Sequence, residues 1–244
     1  MKKLSISLAL CIFSLGLHAQ GSTSFNGSKN EIGIELLGLA NADLQMTYER
    51  AVGKHISLGA GLGLKMDEGL VKLSGLDTES IATDDITYSG FKFIPSVRYY
   101  LNDLEASGMN GFYFGSFLKI QRYSSDLLGT YTNSSNESFA IDFDGKFNIT
   151  SLGFMVGYKL VLSNRLNLDF LIAGPGFASH KYDLKNRQPL PDEFYDDLND
   201  ALNEYSVLDF LGVDFDFEGG SGETKESKFS LPAFRYGITL SYSF

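Results

Sequence analysis

This chain of 244 residues has almost no cysteine and, after its first twenty residues, no long apolar run. Its one cysteine, Cys11, lies inside an apolar segment at the start of the sequence. A disulfide framework is therefore excluded, and stability has to come from a large hydrogen-bonded architecture. After residue 20 no run approaches the roughly 20 apolar residues of a membrane-spanning helix. The rest of the chain thus offers no candidate for such a helix.

Histidine is also scarce, with 3 in the whole chain. Catalysis by an activated nucleophile needs a base within reach and a group that orients the base. Ser179 and His180 are the nearest approach to such a pair. Adjacent residues on a strand point to opposite faces, so the two are badly placed to react together. No nucleophile motif or metal-ligand spacing is evident, and the sequence favours a protein that is not an enzyme and uses no cofactor.

The first twenty residues read MKKLSISLALCIFSLGLHAQ. Lys2 and Lys3 precede an apolar run, and the small residue Ala19 closes a cleavage site of the kind that ends secretory signal peptides. Residues 1–19 are therefore predicted to be a signal peptide, and residues 20–244 a single exported domain. The net charge of the chain is −10, and removal of the two lysines makes it more negative still.

Period-2 alternation of apolar and polar residues returns eight times along the predicted domain. In the last segment, YGITLSYSF, aromatic and aliphatic residues alternate with small and polar ones up to the terminal Phe244. Such alternation predicts strands with one apolar face and one polar face. The predicted strands lie at 29–41, 43–49, 56–64, 91–99, 112–121, 151–160, 166–172 and 235–244.

The links between these strands alternate in length. Short links are predicted at 53–54, 102–110 and 163–164, and long loops at about 66–85, 124–145 and 183–227. An even number of strands with alternating turns and long loops is typical of outer-membrane barrels. Lipid requires every backbone polar group to be paired, so the sheet has to close on itself. The prediction is an all-β, eight-stranded antiparallel up-and-down transmembrane β-barrel in the outer membrane of a Gram-negative-type bacterium.

The polar faces of the predicted strands carry charges that would point into the barrel. An eight-stranded barrel is about wide enough for side chains to fill it. Unpaired charges there are costly, so ion pairs across the lumen are expected. A salt-bridged plug is favoured over a conducting path. The predicted lumen charges are Glu35, Glu49, Lys92, Arg98, Lys119, Lys159, Asp169 and Arg235.

Three internal stretches carry a family resemblance: NADLQMTYERAVGKHISLGAGLGL, FIPSVRYYL followed by GFYFGSFLKI, and GFMVGYKLVLSNRLNLDFLIAGPGF. With the aromatic C-terminal strand, they resemble the small eight-stranded outer-membrane barrel domain found alongside the OmpA-, OmpW- and opacity-like groups. The resemblance implies contact with outer-membrane lipid. It also implies that Tyr242 and Phe244 form a signal read by the barrel assembly machinery.

The predicted loop 183–227 is strongly acidic, with 13 acidic and 3 basic residues. Within it, PDEFYDDLNDALNEYSVL predicts a short amphipathic helix with Asp192 and Glu193 in its first turn, where the helix dipole favours acids. The helix is expected to rest on its own barrel, and docking of a partner is the alternative. So acidic a surface should not bind nucleic acid. The predicted apolar face comprises Phe194, Leu198, Ala201, Leu202 and Tyr205.

The stretch DFDFEGGSGETKE matches the first half of a calcium-binding loop. Asp214, Asp216 and Glu218 supply oxygen ligands at alternate positions, and Gly219 follows them. Lys225 stands where the twelfth position needs a glutamate, which argues against a complete site. A strand extension and diffuse binding of divalent cations by the acidic loop remain the alternatives.

Three functions are open at this point. The favoured one is a non-enzymatic barrel with a plugged lumen and acidic extracellular loops for structural or surface-interaction roles. A narrow pore or conduit for small or hydrophobic solutes is the first alternative. A lipid-modifying outer-membrane enzyme is the second, and it requires a serine, a histidine and an acid to converge at the rim of the barrel.

Overall fold

The computed structural model describes residues 28–67, 69, 74–203 and 224–244. Most of the regular structure in them is β-strand, built where apolar and polar residues alternate. No helix among these residues is long and apolar enough to cross a membrane. The strands are β1 (Asn30–Glu35), β2 (Asp43–Ala51), β3 (Ile56–Lys65), β4 (Ile81–Thr83), β5 (Ser89–Tyr100), β6 (Gly111–Thr132), β7 (Ser138–Val161), β8 (Leu166–Asn186) and β9 (Thr224–Ser243). The described helices are α1 (Leu104–Ser107) and α2 (Asp192–Asn203).

Eight antiparallel strands close into a ring in the order β6, β5, β3, β2, β1, β9, β8 and β7, and β7 pairs back to β6. The first and last strands of the ring meet with Ile32 opposite Tyr242. The short strand β4 lies beside the ring and pairs with β6. The predicted all-β antiparallel fold, with eight strands in the ring, is confirmed. Over the height that all eight strands share, the ring has no open sheet edge, so its backbone polar groups are paired there.

The ring is uneven in height. Strands β6, β7, β8 and β9 have between 20 and 24 residues, whereas β1, β2, β3 and β5 have between 6 and 12. The four long strands rise beyond the other four as a curved sheet, here called the tall wall. The short links lie at the opposite end of the ring, called the short-link end. The tall wall comprises residues 122–132, 138–149, 178–186 and 224–231.

Two of the long loops were predicted wrongly, because strands of the tall wall occupy part of each. Residues 124–132 and 138–145 belong to β6 and β7, which pair without interruption up to Thr132 and Ser138. The real connection between them is the tight turn 133–137, stabilised by Asn133 Oδ1, which accepts hydrogen bonds from the N–H groups of Ser135 and Glu137. Likewise the ends of the predicted loop 183–227 are strand. The helix predicted within that loop is present as α2.

The first strand also ends earlier than predicted, at Glu35 instead of residue 41. The Glu35 carboxylate accepts hydrogen bonds from the backbone N–H groups of Leu37, at 3.0 Å, and Gly38, at 2.6 Å. Those bonds turn the chain into one turn of 3-10 helix, which ends at Ala42 with a φ of 52°. A side chain that bonds to its neighbouring backbone competes with the strand ladder, and here it ends the strand.

In the lower part of the ring the apolar side chains point outward and the charges point inward. Phe154 and Phe177 are 73% and 72% exposed on the outer face, whereas Glu31 and Lys159 are each 2% exposed inside. A protein folded in water does the reverse, because its apolar face drives the burial. The outer surface is therefore a continuous apolar band around the ring.

Polarity inverts between the two faces at the foot of the tall wall. Directly opposed residues on paired strands share a face, so each cross-strand row can be followed around the sheet. On the outer face, an apolar row is followed by a polar row four residues farther along each strand, toward the top of the wall. The lower row is Leu118, Leu152, Phe177 and Pro232, and the upper row is Arg122, Asn148, Lys181 and Lys228.

The inner face changes in the opposite sense, from charged below to apolar above. In the wall it carries Tyr131, Ile141 and Phe143, all buried. They form a second apolar cluster that the helix α2 covers with Phe194 and Tyr195. A separate cluster extends into the lumen from the short-link end, where Leu104 of α1 and Met109 close the barrel. The lumen cluster comprises Ile94, Tyr100, Leu104, Met109, Tyr113, Phe117, Met155 and Leu171.

Candidate functional site

Glu49 of β2 lies at the centre of the lumen and receives four hydrogen bonds. Its Oε2 accepts from Arg98, at 2.9 Å, and from Lys159, at 2.7 Å. Its Oε1 accepts from the hydroxyl groups of Ser57 and Tyr100. A carboxylate that accepts several bonds, two of them charge-assisted, is stabilised in its ionised form inside the barrel.

Lys159 of β7 connects Glu49 with a second carboxylate, Glu31 of β1. The Lys159 ammonium donates to Glu31 Oε2 at 2.6 Å. The other oxygen of Glu31 accepts from the amide of Asn167, and the hydroxyl groups of Ser241 and Ser243 also donate to this carboxylate. The two carboxylate oxygens of Glu31 and the ammonium group of Lys159 are buried, and each of them therefore has a hydrogen-bond partner.

Arg98 of β5 connects Glu49 with a third carboxylate, Asp169 of β8. The guanidinium donates to Asp169 Oδ2 at 2.7 Å, and the Tyr113 hydroxyl donates to Oδ1 at 2.7 Å. Three acids and two bases thus alternate across the lumen on five different strands. This set, the lumen network, is Glu31, Lys159, Glu49, Arg98 and Asp169.

Toward the wall end, the lumen network gives way to a cavity of about 280 Å³. Lys92 pairs there with Asp43. The guanidinium of Arg235 lies 5.2 Å from the centre of the Phe117 ring. Lys119 makes no hydrogen bond or ion pair with any residue the structure describes. The cavity is lined by all eight predicted lumen charges, namely Glu35, Glu49, Lys92, Arg98, Lys119, Lys159, Asp169 and Arg235.

Sequence reasoning missed several members of the site. Glu31 precedes Gly33 and Glu35 at a spacing of two, so the same alternation that placed Glu35 inside also places Glu31 there. Tyr100 and Tyr113 lie one position beyond outward-facing Tyr99 and Phe112, which puts both hydroxyl groups in the lumen. The full set of missed polar residues that bond to the lumen network is Glu31, Ser57, Tyr100, Tyr113, Asn167, Ser241 and Ser243.

The tall wall carries a second candidate surface, formed by α2 and its acids. The Tyr131 hydroxyl donates to Asp197 of α2 at 3.0 Å, and burial together with this carboxylate raises the pKa of Tyr131 above its usual range. On the other face of the wall, Arg187 donates to Asp126 and Asp142. The hydrogen bond to Asp126 is the main reason why the pKa of Arg187 is raised. The sequence-predicted residues Phe194 and Leu198 both pack on the wall.

Replacing Phe194 with leucine should loosen α2 without disturbing the barrel. Phe194 packs edge-on against Tyr131, with ring centres 5.2 Å apart, and stacks on Phe143 at 5.9 Å. Loss of such ring contacts costs about 1 kcal/mol. Amide hydrogen exchange in α2 is expected to become about fivefold faster, with exchange in β2 and β3 unchanged. Leu128→Ala, on the opposite face of the wall, is the control, and equal acceleration by both variants would contradict the docking role.

The catalytic and metal candidates are not assembled in the part of the chain that the structure describes. Ser179 and His180 lie on opposite faces of β8, and the ring of His180 stacks with those of Phe229 and Tyr182. No group of three acids or histidines that could hold a metal ion occurs among the described residues. The calcium candidates Asp214, Asp216 and Glu218 lie outside the described residues.

The C-terminal aromatics face outward at the short-link end. Tyr242 is 39% exposed and its hydroxyl accepts a hydrogen bond from Arg165. Phe244 is 56% exposed, and its backbone N–H donates to Asn30. Both lie on the outer apolar band.

Comparison with known families gives one match, over residues 13–196, to a family described as proteins of unknown function (DUF3575). The chain belongs to this DUF3575 family. No curated protein and no solved structure matches the chain. The family match covers β1 to β8, so it includes the whole lumen network, whereas Arg235 and the C-terminal aromatics lie beyond its end. The finer resemblance to OmpA- and OmpW-like barrels stays a prediction.

Proposed function

We propose that this DUF3575 protein is an integral outer-membrane β-barrel that does not conduct and has no enzymatic activity. Its lumen is a salt-bridged plug, and the tall wall projects from the cell as a rigid platform for surface interaction. Outer-membrane lipid is its first partner. The barrel assembly machinery is the second, through the C-terminal strand that carries Tyr242 and Phe244.

The polarity inversion carries the proposal of a membrane location. Below it, the outer face is apolar, as in a barrel surrounded by lipid, and above it the outer face is polar, as in water. One chain thus shows both arrangements on the same strands, so the boundary between two solvents is the simplest physical account. On this account Arg122, Lys181 and Lys228 lie just outside the lipid, and the tall wall stands in the extracellular medium.

The lumen network supports the absence of conduction. Its charges pair with one another across the barrel, and Leu104 and Met109 close the short-link end with apolar side chains that are each 2% exposed. An ion crossing the lumen would have to break buried ion pairs that are costly to separate. The eight-stranded geometry leaves little room to bypass them.

The tall wall supports the surface-interaction role. Its own apolar cluster holds α2 in a fixed position, and α2 carries five acids and no basic residue: Asp192, Glu193, Asp196, Asp197 and Asp200. A rigid acidic surface outside the membrane is suited to a basic partner or to divalent cations, since long-range attraction raises the rate of encounter.

Conductance across a planar bilayer tests this proposal. The refolded protein is compared with a variant in which residues 186–223 are replaced by Asn-Gly, a dipeptide that favours a tight hairpin turn between the opposed residues Lys185 and Thr224. Silence from both proteins is expected because the plug lies below the deleted segment. A steady current through the intact protein would instead establish the pore alternative, and current through the shortened variant alone would make the segment a lid.

A further inference from the structure

Every acid that lines the cavity at the wall end of the lumen is bonded to another group of the described chain. Glu31, Glu49 and Asp169 are paired with Lys159 and Arg98. Glu35 also lines the cavity, and its carboxylate is bonded to the backbone of the turn that follows β1. Each acid that lines the cavity is therefore held by other partners, and none of them forms an ion pair with Lys119 or Arg235 within the described part of the chain.

Two cations that line the same cavity have no acid bonded to them. Lys119 and Arg235 form no ion pair with any residue that the structure describes. Lys119 lies within electrostatic range of the cations Lys92 and Arg235 and of the acid Asp43. Arg235 lies within range of the cation Arg98 and of the acids Asp169 and Glu35, none of which bonds to it directly. Burial of two cations without a directly bonded acid is costly, and an anion bonded to both would reduce that cost.

Unused hydrogen-bond donors surround the same space. The Nε of Arg98 is buried and has no hydrogen-bond partner among the described residues. The amide of Gln45, a residue 3% exposed, borders the cavity near Gly61. Gly61 lines the cavity, and a methyl group added to it would lie in ordinary contact with Gln45 Nε2, at 3.4 Å, so a larger side chain there would occupy part of the cavity.

We propose that this cavity binds a small oxyanion, either a carboxylate or a phosphate, between Lys119 and Arg235. The planar guanidinium of Arg235 matches two oxygens of such an anion, and Lys119 supplies a second positive charge. Gln45 donates from the facing side. The inference rests on the lumen contacts alone and does not depend on the membrane location or on the role of the tall wall.

Binding is tested on the refolded protein in a neutral detergent, with inorganic phosphate and acetate as separate probes. The midpoint of thermal unfolding is compared with that in sodium chloride at the same ionic strength. A ligand that binds the folded state raises this midpoint. The wild-type protein is expected to be stabilised by at least one probe, and calorimetric titration gives its dissociation constant.

The variant Lys119→Met/Arg235→Met should reverse this behaviour. Without the two cations, affinity for the probe is expected to fall at least about tenfold, since charge-assisted bonds are lost. In chloride alone the variant should be about as stable as the wild type or more so, because two cations without ion pairs no longer have to be buried. The matched control is Lys146→Met/Lys228→Met, which removes two exposed cations from the outer face of the wall.

A cavity-filling variant covers the case in which the double variant does not fold. Gly61→Leu keeps every charge but occupies the space, so it too should abolish binding. Stabilisation by phosphate alone assigns the site to phosphate, by acetate alone to carboxylate, and by both to small oxyanions generally. The proposal is overturned if neither probe binds the wild type, or if binding survives in both the double variant and Gly61→Leu.

Discussion

Replacing Glu49 with alanine is expected to lower the free energy of unfolding of the barrel by about 3–5 kcal/mol. Glu49 joins two halves of the lumen network, because Lys159 and Arg98 both donate to its Oε2. Its removal leaves those cations, and the hydroxyl groups of Ser57 and Tyr100, with unmet bonds in the middle of the barrel. The measurement is urea-induced unfolding of the refolded protein in detergent, followed by circular dichroism.

Two further variants serve as controls for Glu49→Ala. Glu79→Ala removes a carboxylate that is exposed in a connecting segment, and its effect is expected to stay within about 0.5 kcal/mol. Glu49→Gln keeps the shape of the side chain without its charge, so its cost should lie between the other two. A loss below about 1 kcal/mol for Glu49→Ala would show that the lumen network does not stabilise the barrel.

The charged lumen was predictable because it depends on alternation alone. A strand residue two positions from an inward residue also points inward. This rule assigned Lys92 and Arg98 to the lumen without any knowledge of the fold. Their partners were not predictable in the same way. Which acid meets Arg98 depends on the register between strands, and that register brings Glu49 and Asp169 from opposite directions to one guanidinium.

Apolar residues inside the lumen broke the expected pattern. Ile94 and Phe117 interrupt the phase of their strands in the sequence, and both are 3% exposed inside the barrel. They belong to the same cluster as Leu104 and Met109, which extends into the lumen from the short-link end. A rule that assigns every apolar residue to the outer face cannot place them, because the narrow interior holds an apolar cluster beside its charges.

The tall wall was missed for a related reason. Its strands also alternate, but with apolar residues on the inner face instead of the outer one. Tyr131, Phe139 and Phe143 continue the inward positions that Lys119 occupies lower in the barrel. Where the apolar residues change from one face to the other, the alternation of apolar and polar residues is lost over a few positions. The region 124–145 therefore resembles an irregular loop in the sequence. Recognition of the inversion requires the register between β6 and β7.

Arginine at position 236 is expected to destabilise the barrel in lipid vesicles by about 2–4 kcal/mol, the cost of a cation near the middle of a bilayer. Tyr236 is 68% exposed on the outer apolar band. In water such an exposed site tolerates arginine within about 0.5 kcal/mol. Tyr236→Arg should therefore be costly if lipid surrounds position 236 and nearly neutral if water does. The measurement is urea-induced unfolding of the protein in lipid vesicles.

Ser230→Arg is the matched control, since Ser230 lies on the same strand and the same outer face, between the apolar row that contains Pro232 and the polar row that contains Lys228. It pairs with Ser179 in a polar stretch of the wall, so the substitution should be nearly neutral. The difference between the two positions locates the lipid boundary between them. Equal, small effects would mean that the apolar band faces something other than the bilayer interior, and a large effect at Ser230 would move the boundary up into the tall wall.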